Sequence, residues 1–185
     1  ARLLERSNAR VVLADIRAGD KTVYLDITDS TAVGHAIDRF HPRVVINCSA
    51  YTNVDGAESD YRTAFAVNSS GPRNLAKACA ASGAKLIHFS TDYVYNGQAG
   101  RQQPIPEDED IEPLGVYGLS KAFGDELIRS FLPDDHLILR TSWLHGSGGP
   151  NFVHTMLKLG REKEQIAVVD DQFGSPTWTG WLAET

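Results

Sequence analysis

Asn74 to Ser90 reads NLAKACAASGAKLIHFS, and its hydrophobic period changes in the middle. Leu75, Ala78 and Cys79 recur at the spacing of one helix face, and Gly83 stands where a helix ends on a left-handed residue. AKLIHFS then follows as an apolar run of strand length without the alternation of a half-wet sheet, so it reads as a strand buried on both faces. Working outward, the same unit repeats. RVVLAD (10–15), KTVYLD (21–26), RVVINCSA (43–50), HLILRTS (136–142) and QIAVVD (165–170) are further strand candidates. TDSTAVGHAIDRF (28–40), SDYRTAFAVNSSGPRNLAKACAASG (59–83) and SKAFGDELIRSF (120–131) carry helical patterns between them, the last through Phe123, Leu127 and Phe131. Strands alternating with helices predict an α/β fold with a doubly wound, mostly parallel sheet.

In such sheets ligands bind beyond the carboxyl ends of the strands. The residues there are Asp15, Asp26, the CSA of 48–50, STDYVYNG (90–97) and TSWLHG (141–146), a polar and aromatic set gathered on one edge. Directly ahead of the last helix stands VYGLSK (116–121). Tyr117 and Lys121 are four residues apart, a little over one helical turn, and so share a face. A free tyrosine, with a pKa of about 10, exchanges protons poorly at neutral pH, and a nearby ammonium favours its phenolate. The spacing therefore suits a catalytic pair, although YxxxK alone also arises by chance.

The 185 residues, 42% hydrophobic and 23% charged, suffice for one globular core and exclude a disordered chain. The net charge of −6, with no run of Lys and Arg, disfavours nucleic acid and anionic membrane and points to a small-molecule partner. Cys48 and Cys79 lack CxxC spacing and read as small buried residues in a reducing compartment. The six histidines lack ligand spacing, and the acidic run PEDEDIEP (106–113) reads as solvated loop, so no metal site is expected. With no apolar run long enough for a membrane span and no signal peptide, a cytoplasmic location is expected.

Six segments in order, NCSAYTNVDGAE, AFAVNSSGPRNLA, STDYVYNG, PLGVYGLSK, RTSWLHG and DQFGSPT, resemble the extended short-chain dehydrogenases, most closely the dTDP-4-dehydrorhamnose reductase family. The resemblance covers nearly the whole chain. It implies a Rossmann-like domain over 1–185 and NAD(P)H-dependent reduction of the 4-keto group of dTDP-4-dehydro-6-deoxy-L-mannose to dTDP-L-rhamnose. It further implies Tyr117 as proton donor, Lys121 as its helper and ribose contact, and Thr91 as the third catalytic residue. Asp92 and Trp143 match sugar-nucleotide positions. Asp15, Asp26, Ile27, Cys48, Ser49 and Ala50 match the cofactor path, each equally compatible with a turn or packing role. Asp15 suits the ribose hydroxyls of NADH and Arg17 the 2′-phosphate of NADPH, so the two point to different cofactors. The implied partner is a dTDP-sugar, with a homodimer admitted.

Two alternatives stay open beside it: another dTDP-deoxysugar ketoreductase, or a catalytically silent binding or regulatory subunit. Against sugar-nucleotide dehydration stands Tyr93, which follows Thr91 and Asp92 where dehydratases of the superfamily place a glutamate. The sequence also departs from the family pattern. The opening strand and the G-x-x-G-x-x-G turn that receives the pyrophosphate do not occur, and GSPTWTGWLAET stops ahead of further substrate-side segments. An internal fragment is expected, with ARLLERSNA as the tail of the helix behind that turn.

Overall fold

The computed structural model describes residues 9–17, 19–97, 101 and 103–185; most of the expected helix tail ARLLERSNA lies outside the described residues. The chain divides into two compact units, Ala1–Gly97 with Pro104–Arg140, and Gln98–Gln103 with Thr141–Thr185.

In the first unit β1 (Leu13–Asp15) and β2 (Thr22–Tyr24) pair in parallel, Leu13 opposite Thr22. α1 (Ser30–Phe40) starts where the Asp29 carboxylate accepts the N–H groups of Thr31 and Ala32, satisfying two donors that a helix start leaves open. β3 (Val44–Asn47), β4 (Lys85–Thr91) and β5 (His136–Thr141) form a second sheet in the order β3-β4-β5. β3 and β4 run parallel, bringing Asn47 opposite His88. Between them come α2 (Val54–Ser59), α3 (Tyr61–Phe65), a π-helical turn (Ala66–Ser70) and α4 (Gly71–Ser82). A 3-10 turn (Asp92–Val94) and α5 (Val116–Phe131) follow β4.

The core gathers Ile27, Val33, Leu75, Ala76, Cys79, Ala84, Leu86, Ile128 and Leu132 between α1, α4, α5 and β4. Fully burying one such Leu or Ile is worth about 1.5–3 kcal/mol, so α4 and α5 are held mainly by the apolar stripes legible in their sequences. Gly83 caps α4 at φ 73°, its N–H on the carbonyl of Cys79.

The second unit pairs β6 (Leu144–His145) in parallel with β7 (Thr177–Trp178) and adds α6 (Phe152–Glu162) and α7 (Thr179–Glu184).

Four expectations need correcting. QIAVVD is no strand: 165–170 is irregular and exposed, Val169 to 67%, because no neighbouring strand pairs with it. Of the runs read as buried on both faces, β4 is the one largely enclosed, whereas β1 is exposed along its length. Cys79 is buried, but Cys48 is exposed, since it follows the last residue of β3 where the chain leaves the sheet. Finally, the helix expected over 59–83 is broken by the π-helical turn. Pro72 has no N–H to give the carbonyl of Asn68, and Gly71 donates instead five residues back to Ala66.

Candidate active site

β4 ends on Thr91, and α5 begins at Val116 with Tyr117 in its first turn. Gly118 lets the two meet: a Cβ there would overlap the carbonyl oxygen of Tyr93 in the 3-10 turn. Farther along α5 a Cβ on Gly124 would likewise overlap the carbonyl of Asn68. The helix start is held from α2, where Glu58 Oε1 accepts the N–H of Val116 at 2.8 Å, a carboxylate at the positive end of the helix. Asn68 clamps the same region. Its Oδ1 accepts the Tyr51 N–H at 2.8 Å, and its Nδ2 donates to Tyr51 O at 3.1 Å and Ser120 Oγ at 3.0 Å. Ser120 Oγ in turn donates to the carbonyl of Tyr117 at 2.7 Å.

Thr91 and Tyr117 are thereby brought together, the threonine hydroxyl close enough to act on the phenol. Thr91 is buried, donates to Asp92 Oδ1 at 3.2 Å and accepts from the Tyr93 N–H at 3.3 Å. The Tyr93 ring meets Tyr117 edge-on, centroids 5.6 Å apart at 79°. The Tyr117 phenol is pushed above its ordinary pKa, chiefly by burial; the nearby Thr91 hydroxyl opposes this, while Asp92 and Tyr93 add to it. The sequence suggested a phenol lowered by Lys121, and here the structure differs. Lys121 is 1% exposed, and its Nζ donates to the carbonyl of Phe89 at 2.7 Å and lies 3.2 Å from His88 Nε2. Burial lowers its pKa to about 8 against the opposing charge of Asp125. The ammonium is thus turned toward the sheet, where it does not offset the burial of the phenol.

The residues of the expected cofactor path lie where their strands end. Asp15 closes β1, exposed, with Oδ1 accepting the Arg17 N–H at 2.8 Å. Asp26 Oδ1 accepts the N–H and hydroxyl of Thr28 at 2.9 and 2.8 Å, while the Ile27 side chain belongs to the core. Cys48 and Ser49 are exposed beyond β3 and Ala50 is half-buried.

Trp143 lies in the second unit, 45% exposed and at φ 45°, so it is no core residue. Its ring rests against Gly174, its carbonyl accepts the Thr177 N–H at 3.3 Å, and Ser142 Oγ donates to Ser175 O at 2.8 Å. RTSWLHG and DQFGSPT, far apart in sequence, therefore pack together.

Sequence reasoning missed His88, Asn68, Glu58 and Asp125. Asp125 had a readable signal, four residues beyond Lys121 on the same helix face. His88 had only its place inside a buried strand. The acidic run 106–113 holds Asn96 Nδ2 through Glu112 Oε2 at 2.7 Å, and no metal-ligating group occurs among the described residues. Among the described residues no helix is long and apolar enough to cross a membrane.

The family model described as the RmlD substrate binding domain matches residues 1–185. A dTDP-4-dehydrorhamnose reductase of Streptomyces griseus is 50% identical over 161 residues, 87% of this chain and 52% of that protein. The dTDP-4-keto-6-deoxy-D-glucose reductase of Streptomyces niveus is 42% identical over 160 residues, 86% of this chain and 55% of that protein. The crystal structure of dTDP-4-dehydrorhamnose reductase from Bacillus anthracis in complex with NADP superposes with a TM-score of 0.81 at 42% identity, covering 85% of this chain and 55% of that one. The chain spans about half the length of the curated relatives it matches. The chain belongs to the RmlD family of dTDP-4-dehydrorhamnose reductases.

Proposed function

We propose that the protein to which this chain belongs reduces the 4-keto group of dTDP-4-dehydro-6-deoxy-L-mannose to give dTDP-L-rhamnose, with NADPH or NADH as reductant. The observation that carries the reading is the meeting of Thr91 and Tyr117 at the strand end, with Lys121 one helical turn behind. The residues present fit a dinucleotide at one ribose: Asp15 offers an exposed carboxylate beyond β1, and small side chains stand beyond β3. The reduced nicotinamide, when bound, supplies the hydride.

Tyr117 supplies the proton. Burial keeps its phenol protonated at neutral pH, which is the form an acid must start from, and Thr91 orients the keto oxygen toward it. Lys121 would hold the nicotinamide ribose and favour the phenolate on turning its ammonium from the carbonyl of Phe89 toward the cofactor. By the family resemblance Asp92, beside Thr91, and Trp143, in the second unit, are each assigned to the sugar nucleotide. Tyr93, edge-on to Tyr117 and without a lysine of its own, is no base for abstracting a carbon-bound proton, which favours reduction over dehydration.

The test uses a full-length protein carrying this chain, reduced cofactor and a set of dTDP-ketosugars, with mass analysis of the product. A gain of two hydrogens on the ketosugar is expected, and Tyr117→Phe should lower turnover by about 100-fold or more. Its unfolding free energy should stay within about 1 kcal/mol of the parent. No oxidation of cofactor with any ketosugar, or loss of water from dTDP-glucose, would overturn the reading. The similarity to the Streptomyces niveus enzyme favours a second substrate at the same site, dTDP-4-keto-6-deoxy-D-glucose, and the same assay separates the two.

A further inference from the structure

Behind the catalytic pair, β4, α5 and β5 bury a polar cluster that proton donation by Tyr117 leaves unused. His88 and Asp125 are both fully buried. Asp125 Oδ2 accepts from Ser90 Oγ at 2.8 Å and from Arg140 Nε at 3.5 Å, and Arg140 reaches on to the Tyr95 hydroxyl at 2.8 Å. The other oxygen, Asp125 Oδ1, is buried with no hydrogen-bond partner and lies 3.9 Å from His88 Nε2. An unsatisfied buried carboxylate oxygen costs free energy, so its retention calls for a cause.

The tautomer of His88 supplies one. Asn47 Oδ1 accepts the Ser49 N–H at 3.0 Å, which turns its amide nitrogen toward His88 Nδ1 at 2.9 Å. Nδ1 is then an acceptor, and the ring proton sits on Nε2. That N–H has two acceptors near it. One is Lys121 Nζ at 3.2 Å, when the amine is unprotonated; the other is Asp125 Oδ1. An ammonium cannot accept, so once Lys121 is protonated the Nε2–H has only Asp125 to serve.

We propose that Asp125 and His88 are positioning residues for Lys121: Asp125 supplies the buried negative charge that favours the ammonium, and the His88 Nε2–H, which has both the lysine nitrogen and Asp125 Oδ1 near it, is left to Asp125 as the lysine takes up a proton. This rests on the reading of Tyr117 and Lys121 as the proton-transfer pair. The direction of the electrostatics agrees, since burial lowers the proton affinity of Lys121 and Asp125 opposes it. His88, lowered to about 3, stays neutral throughout. Other ionisable groups stand nearby. Tyr117 shares α5, Asp92 and Tyr93 lie beside it, and Arg140 stands behind Asp125. β3 and the π-helical turn bring only the uncharged Asn47, Asn68 and Ser69. Glu58 of α2 is on the Val116 N–H, Arg62 of α3 lies over the Tyr61 ring, and Lys77 of α4 lies over the Phe131 ring at the end of α5.

The experiment follows the protonation of Lys121 by carbon-13 NMR of the lysine ε-carbons in a full-length protein carrying this chain, beside the pH profile of kcat/KM. Asp125→Asn should lower the Lys121 midpoint by about one pH unit or more, as loss of a close opposite charge does. The alkaline limb of kcat/KM should move down with it, Asp125→Glu should restore both, and nitrogen-15 shifts should place the His88 proton on Nε2. A merely structural role would lower activity evenly across pH. A midpoint that falls while the limb stays supports the hold of Asp125 on Lys121 and leaves the proton-transfer reading as the one that fails. An unmoved midpoint, or a His88 proton on Nδ1, overturns the proposal. Asp125→Asn strands Arg140 beside a neutral side chain, which is destabilising. If that variant does not fold, Asp125→Asn with Arg140→Gln removes both charges, and the same fall is expected.

Discussion

Asp15 and Arg17 form one tight turn, the carboxylate of the first on the backbone N–H of the second, so both side chains leave the end of β1 from nearly the same place. A carboxylate there favours a free ribose 2′-hydroxyl by accepting its hydrogen bond and repels a 2′-phosphate, whereas a guanidinium does the reverse. In a full-length protein carrying this chain, Arg17→Ala should therefore raise KM for NADPH with little change for NADH, and Asp15→Ala should weaken NADH selectively. Steady-state kinetics with both cofactors on each variant measures it. If neither substitution changes the preference, the cofactor does not pass this strand end.

α5 carries Tyr117, Lys121 and Asp125 at successive turns of one face, and its docking sets what they touch. That docking depends on missing side chains. Gly118 admits the carbonyl of Tyr93, a rigid backbone atom that cannot move aside as a flexible side chain would. Gly118→Ala should thus separate α5 from the end of β4, with a cost of about 1–3 kcal/mol typical of overpacking and a fall in kcat as Tyr117 parts from Thr91. Gly34 in α1 is the control, because a Cβ there meets nothing within 4 Å. Gly34→Ala should leave activity unchanged and stabilise by up to about 1 kcal/mol through helix propensity. Chemical denaturation and steady-state kinetics on the two variants check the pair; equal effects would show that the close approach is unimportant.

Stability of the first unit is linked to pH through its buried cluster. His88 has a folded pKa of about 3 against an ordinary 6.5. The folded state therefore binds fewer protons than the unfolded chain between these values, and stability falls as pH drops through that window. At about 1.4 kcal/mol per unit, the loss from this group by pH 3 is on the order of 4 kcal/mol. Asp125, whose carboxyl is pushed up by burial, acts in the opposite direction, so the wild-type profile is a sum. His88→Gln isolates the histidine: melting temperatures at pH 7, 5 and 4 should fall less steeply for the variant than for the parent. Parallel slopes would mean that His88 is not buried neutral in solution.

Periodicity and strand-end chemistry were local and therefore legible. Helix positions in α1, α4 and α5 and the Gly83 cap follow from side-chain patterns within a dozen residues, and the parallel sheet from the alternation of strands with helices, whereas Thr91 beside Tyr117 was implied by the family resemblance alone. Where partners come from distant segments, the pattern misled. QIAVVD has the composition of a strand but no neighbour to pair with, and Cys48 has the composition of core but stands past the end of β3. The direction of the Lys121 ammonium was settled by burial, by the carbonyl of Phe89 and by His88, none of which its own helix could announce. Residue types and spacing select which groups reach the site, whereas their proton affinities depend on desolvation and on charges brought together across β4, α5 and β5, quantities that exist only once those elements have packed.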